Sequence, residues 1–192
     1  NLNNPLYVEY HDNEWCKPNF NDDYLFEMLI LESFQAGLSW ECVLNKREAF
    51  IKAFDNFDID RIVGYKEDKV NELLGNKAYR KKLDKQFKNE KSNFKIAIVV
   101  DMLKIKAAIN NANIFKKIQK EYGSFYDYLK IFTKDKIIYE NDKTSNSLSD
   151  SISNDLKKRG MKFVGTTIIY SYLQAIGIIY SHDKDCFMYK GD

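Results

Sequence analysis

Glycine and proline are scarce: 8 and 2 residues in 192, about 5% of the chain against the roughly 12% usual in globular proteins. That excludes collagen-like and low-complexity classes and disfavours turn-rich all-β folds. Three cysteines, Cys16, Cys42 and Cys186, are too few for a disulfide framework and point to a reducing compartment. No apolar run approaches the roughly 20 residues of a membrane helix; the longest, 96–100 and 176–180, have five. No signal peptide is recognisable, and because the chain opens on Asn1 without Met, a few upstream residues are expected. Charge of one sign is also missing. Lys and Arg number 30 against 28 acidic residues, leaving +2, so no global field demands a nucleic-acid partner. What remains is 44% hydrophobic and 30% charged, enough for one sizeable core. The expectation is a mostly helical, intracellular domain.

Helical spacing is the dominant pattern. Residues 22–36 read as a helix apolar on more than one side, with Asp22 and Asp23 suited to its N-terminus and Gly37 breaking it. Ser39 is placed to cap a second helix running through Val43, Leu44, Ala49, Phe50 and Phe54. Shorter helices are predicted over 58–63 and 68–74, and longer ones over 105–123, 125–132 and 149–159, the last ended by Gly160. A long apolar helix over 166–179 is expected to be central. One segment differs in charge: 76–95 carries eight basic and two acidic residues. It reads either as a solvated insertion or as a patch that meets phosphates by counterion release.

Two further constellations carry chemistry. The chain has only two histidines, His11 and His182, and His182 with Cys186 makes an H-x3-C spacing. Imidazole and thiolate at such spacing suit a structural zinc that would tie the two ends of the chain together, but the spacing also arises by chance. Near the N-terminus, Tyr7, Tyr10, Trp15 and Trp40 cluster in sequence around Glu32, a carboxylate inside the most apolar helix. A buried Glu needs a partner. Either Glu32 pairs with backbone groups and the aromatics are core, or together they form a pocket for a flat, electron-poor ring such as a flipped base.

Four strings then stand out: YVEYHDNEW (7–15), LFEMLILESFQAGLSW (25–40), VLNKREAF (43–50) and LKKRGMKFVGTT (156–167), followed by Tyr170–Ser171 and Gln174–Ala175. In this order they closely resemble the bacterial 3-methyladenine DNA glycosylase I family, from about Pro5 to Cys186. The resemblance implies an all-α, helix-hairpin-helix glycosylase fold in a single domain, with a structural Zn2+ joining the termini. It implies His11, His182 and Cys186 as zinc ligands, with a fourth, a cysteine, upstream of Asn1; Cys16 falls where the family usually has glycine. Glu32 matches the carboxylate that hydrogen-bonds the methylated adenine and is the catalytic candidate. Tyr10 and Trp40 match the stacking aromatics, and Tyr7 and Trp15 the adjoining walls. Gln35, Gly37 and Leu38 match a loop that fills the gap left by the extruded nucleotide, and Thr166 and Thr167 the pocket edge. The implied partner is double-stranded DNA containing alkylated bases, met by a cytoplasmic monomer without membrane contact. The implied reaction is hydrolysis of the N-glycosidic bond of 3-methyladenine. The chain departs from the pattern over 76–103, where a basic insertion replaces the expected hairpin; a non-catalytic module that binds alkylated bases or DNA is the alternative this departure raises.

Overall fold

The computed structural model describes residues 2–75 and 98–190. The basic segment 76–95, and all but the last residues of the divergent stretch 76–103, lie outside them. Ten helices are described: α1 (Pro5–Asn13), α2 (Asp22–Gln35), α3 (Trp40–Leu44), α4 (Arg47–Ala53), α5 (Ile59–Val63), α6 (Glu67–Leu73), α7 (Met102–Tyr122), α8 (Phe125–Thr133), α9 (Ser147–Lys158) and α10 (Thr166–Ala175). The fold is not purely helical. Two-residue strands β1 (Ile138–Tyr139) and β2 (Ile179–Tyr180) pair in parallel, Ile138 with Ile179.

Helix α2 is the axis. Nine of its residues from Leu25 to Phe34 are buried, and it packs against α3, α7, α8 and α10. Asn21 caps it by accepting from the Asp23 and Tyr24 N–H groups. Asp22 serves a neighbour instead: its carboxylate accepts from Phe125 N at 2.8 Å and Tyr126 N at 3.2 Å, closing the start of α8. Edge-on contacts of Phe26 with Phe115, at 5.2 Å, and of Phe34 with Phe50, at 4.8 Å, fill the layers on either side.

The sequence expectation fails at three places, two of them for a long-range reason. The helix expected from Ser39 to Phe54 is two helices. Asn4 donates to Asn45 Oδ1 at 2.9 Å and to Glu41 Oε1 at 2.8 Å, and the chain turns at Asn45–Lys46, where Lys46 has φ −108 and ψ 2. That turn lets Arg47 reach Glu27 on α2 at 2.7 Å and Glu14 beyond α1 at 2.8 Å. The helix expected over 166–179 stops at Ala175, because Gly177 turns to φ 76 and sends Ile179–Tyr180 into the strand pair. Helix α1, with Pro5 at its first turn and Asn4 as cap, has no counterpart among the expected helices.

Gly177 is irreplaceable in this arrangement. A Cβ built there lies 2.3 Å from the Lys17 carbonyl carbon and 2.3 Å from Pro18 N, and both are backbone atoms that cannot rotate away. Gly177→Ala adds this overlap to the left-handed strain, a loss of about 3 kcal/mol. Urea denaturation checks it, and an unchanged midpoint would show that the 17–18 and 177 backbones separate freely.

Candidate active site

A cavity of about 340 Å³ opens between α1, α2, α3, α10 and the C-terminal segment. Helix α1 supplies Tyr7, Tyr10 and His11 at i, i+3 and i+4, one face of a helix. Trp15 follows at its end, Glu32 and Gln35 come from the last turns of α2, and Trp40 opens α3. Ser39 caps α3 by accepting from Cys42 N at 3.2 Å, which sets the entry of Trp40. The Tyr10 and Trp40 rings stand 5.3 Å apart, tilted by 48°. The structure thus brings together every aromatic residue that the sequence put near Glu32.

Three polar atoms of this cavity are buried without a hydrogen-bond partner among the described residues: Glu32 Oε2, Gln35 Oε1 and Trp40 Nε1. Burial alone pushes the Glu32 carboxyl up to about 8. The capping reading of Glu32 therefore fails for Oε2. Tyr7 and Tyr10 are raised as well, first by burial and then by neighbouring carboxylates that include Glu32. Near neutral pH Glu32 is thus mostly protonated, beside tyrosines that are also uncharged.

The loop after α2 turns at Gly37, φ 77, and Leu38 at its tip is 40% exposed. Gln35 belongs to this stretch by backbone, yet its side chain lines the cavity. Ser171 and Gln174 line it too, from α10. Sequence reasoning gave these three no place in the pocket; the only signal was that Ser171 and Gln174, three apart, share a face of an apolar helix. Thr166 turns away to the Ser149 hydroxyl, 2.8 Å distant, and neither it nor Thr167 is among the lining residues.

At one end of the same cavity the two ends of the chain meet. The ligand atoms of His11, His182 and Cys186 lie within 4.8 Å of one another. Cys186 Sγ is 3.5 Å from His11 Nε2 and 3.5 Å from His182 Nδ1. Tetrahedral zinc with bonds of about 2.3 Å to sulfur and about 2.05 Å to nitrogen sets that separation at about 3.6 Å. On the other side of its ring, His11 Nδ1 sits 2.8 Å from Asp12 Oδ1, the outer carboxylate that commonly orients a metal-bound imidazole. Cys16 is outside this group. Its backbone takes φ 60, a conformation that favours glycine, and its thiol accepts from Ser181 N at 3.4 Å and is pushed up to about 12 by burial.

Comparison with known proteins meets this geometry along the whole chain. Residues 1–96 and 85–189 match the Methyladenine glycosylase family. DNA-3-methyladenine glycosylase 1 of Escherichia coli K12 is 36% identical, covering 98% of this chain and 94% of its own. A crystal structure of 3-methyladenine DNA glycosylase I superposes with a TM-score of 0.82 at 38% identity, over 96% of this chain and 94% of that one. A structure that addresses 3-methyladenine recognition by the Staphylococcus aureus enzyme gives 0.82 at 31% identity, over 95% and 90%. With fold and sequence agreeing over nearly its full length, the chain belongs to the methyladenine glycosylase family.

Proposed function

We infer that this protein acts in base-excision repair, as a DNA glycosylase that hydrolyses the N-glycosidic bond of 3-methyladenine in alkylated DNA. The observation that carries the reading is the trio of unpartnered buried atoms. Two are acceptors, Glu32 Oε2 once its carboxyl is ionised and Gln35 Oε1, and one is a donor, Trp40 Nε1. The adenine edge offers the complement: an exocyclic amine with two N–H groups beside ring nitrogens that accept. Guanine presents O6 where adenine presents the amine, so it would bring an acceptor against acceptors. Tyr10 and Trp40 give the flipped ring its stacking faces, and Tyr7 and Trp15 wall it in.

Methylation at N3 makes the nucleotide's adenine cationic, which weakens its bond to the sugar before the protein acts. On cleavage the bonding pair leaves with the base and cancels its charge, and water adds at the sugar carbon with loss of a proton. Glu32 holds the amine and favours the cation over neutral adenine; selection of the flipped base and its orientation supply the rest. The Gly37–Leu38 tip is the segment placed to fill the gap in the duplex.

The zinc site is part of the same proposal. His11, His182 and Cys186 offer three donors for a structural tetrahedron, with both sulfur–nitrogen separations at 3.5 Å and the whole group within 4.8 Å, and with the fourth donor upstream of Asn1, as the resemblance implies. Zinc there supplies folding energy, not chemistry. In protein that includes the upstream residues, elemental analysis should find one zinc per chain, and His182→Ala should lower the melting temperature far more than kcat. Full-length folded protein without zinc sinks the assignment.

Two outcomes are expected for Glu32→Gln. Loss of a charge-assisted hydrogen bond, about 1.5–3 kcal/mol, should weaken binding of 3-methyladenine by roughly 10- to 100-fold. Capture of the cation requires the carboxylate, so kcat/KM of the parent should rise from pH 6 towards the Glu32 value of about 8 and level above it, while the variant stays flat. Stability runs the other way. A carboxyl raised on folding binds more protons in the native state, so the Glu32 contribution to stability falls as pH climbs from about 4.5 to about 8. Glu32→Gln should therefore gain in melting temperature at pH 8 relative to pH 5. Unchanged base affinity in the variant rules out the pocket assignment.

A further inference from the structure

Lys104 stands where a lysine has two physical disadvantages. It lies in the first turn of α7, at the positive end of that helix's dipole, and it is buried, 8% exposed. Desolvation lowers its pKa, with Asp101 and Cys42 opposing the shift. Its ammonium serves another element. Nζ donates to the Phe34 carbonyl at 2.8 Å and to the Ala36 carbonyl at 2.6 Å. These oxygens sit in the last turn of α2 and at its C-cap, where carbonyls lack intrahelical partners and the dipole is negative. Helix α2 has no basic residue of its own in that turn. The carbonyl between them, of Gln35, accepts from Leu38 N at 2.6 Å.

Resting on the glycosylase reading above, we propose that Lys104 is a positioning residue for excision: from outside the pocket it clamps the loop joining Glu32 to Trp40, and so fixes the distance across which the base is held. Glu32 is immobile inside α2, whereas Trp40 begins a five-residue helix whose place depends on the loop before it. That loop has little packing of its own. A Cβ built on Gly37 meets nothing within 4 Å, and Gly37, Leu38 and Ser39 are exposed. The Lys104 clamp and the Leu38–Gln35 turn are the bonds that hold its first half; Ser39 holds the second half by capping α3. Without the clamp the loop pivots at Gly37, and Trp40 and the Leu38 tip move together. A misplacement of about 1 Å in such a wall can cost about 100-fold in rate. This accounts for a buried lysine where Leu or Met would pack without desolvation.

The test uses the whole protein on alkylated duplex DNA. Lys104→Met removes every donor at similar volume, and Lys104→Gln keeps two N–H groups on a shorter, neutral arm. Well below both melting temperatures, single-turnover release of 3-methyladenine should fall by about tenfold or more in Lys104→Met and about threefold or more in Lys104→Gln, with the Kd for undamaged DNA within about twofold of the parent. Combined with Glu32→Gln, the Lys104→Met loss should shrink, because both act through one recognition unit. A role as helix cap alone would lower the melting temperature and leave these rates at the parental value; that result overturns the proposal. Should Lys104→Met not fold, Lys104→Gln decides by the same criterion. A parent that releases no 3-methyladenine refutes the glycosylase reading itself, an outcome distinct from an active parent with equally active variants.

Discussion

A carboxyl group buried in an apolar helix without a partner for one of its oxygens is unstable by itself, and this structure is arranged to keep one there. Glu32 is 3% exposed, and burial alone raises its pKa. Such a group is held in place only by a framework that is fixed independently of it. Helix α2 meets that condition by being buried on all sides, with α7, α8 and α10 packed against it. The walls of the pocket are secured from a distance as well: Arg47 joins Glu27 on α2 to Glu14 just beyond α1, so the helix bearing Tyr7 and Tyr10 is held against the helix bearing Glu32.

The aromatic pocket and the His–His–Cys cluster share a cause. Tyr7, Tyr10 and His11 occupy one face of α1, and Trp15 stacks on His11 at 5.7 Å while meeting His182 edge-on at 4.8 Å. A rotation of α1 that relaxed the His11–Cys186 approach would also withdraw Tyr10 from Trp40. The approach of the chain's two ends therefore depends on the same helix face as the pocket. That is why one cavity is lined both by Glu32 and by Cys186.

Much of this was legible in the sequence where the physics is local. The run 25–34 with its acidic start, the Ser39 cap, the Gly37 break and Gly160 after α9 are short-range signals, and the helices stand where those signals put them. The His-x3-Cys spacing and the aromatic cluster around Glu32 were legible as chemistry, though spacing could not say that Glu32 Oε2 lacks a partner. What was not legible depends on partners far along the chain. Helix α10 ends early because Gly177 presses on Lys17 and Pro18, some 160 residues away. The break after α3 involves Asn4. Lys104 reads as an ordinary solvated lysine until Phe34 and Ala36 are folded against it. Gln35 was assigned by its backbone neighbours, whereas its side chain follows the turn of α2 into the cavity.

The disposition of the buried cations completes the account of selectivity. Arg47 is occupied by Glu14 and Glu27, and Lys104 by two backbone carbonyls. Neither contributes to the state of Glu32, which is set by desolvation alone. Among the described residues, the fold commits its interior positive charges to backbone and to other carboxylates and leaves this carboxyl without a cation, so that burial keeps it mostly protonated near neutral pH. A neutral purine entering the pocket cannot supply what is missing. On the proposed reading, a ring made cationic by alkylation brings the charge with it, so the same alkylation that weakens the glycosidic bond also makes the base the partner that Glu32 lacks.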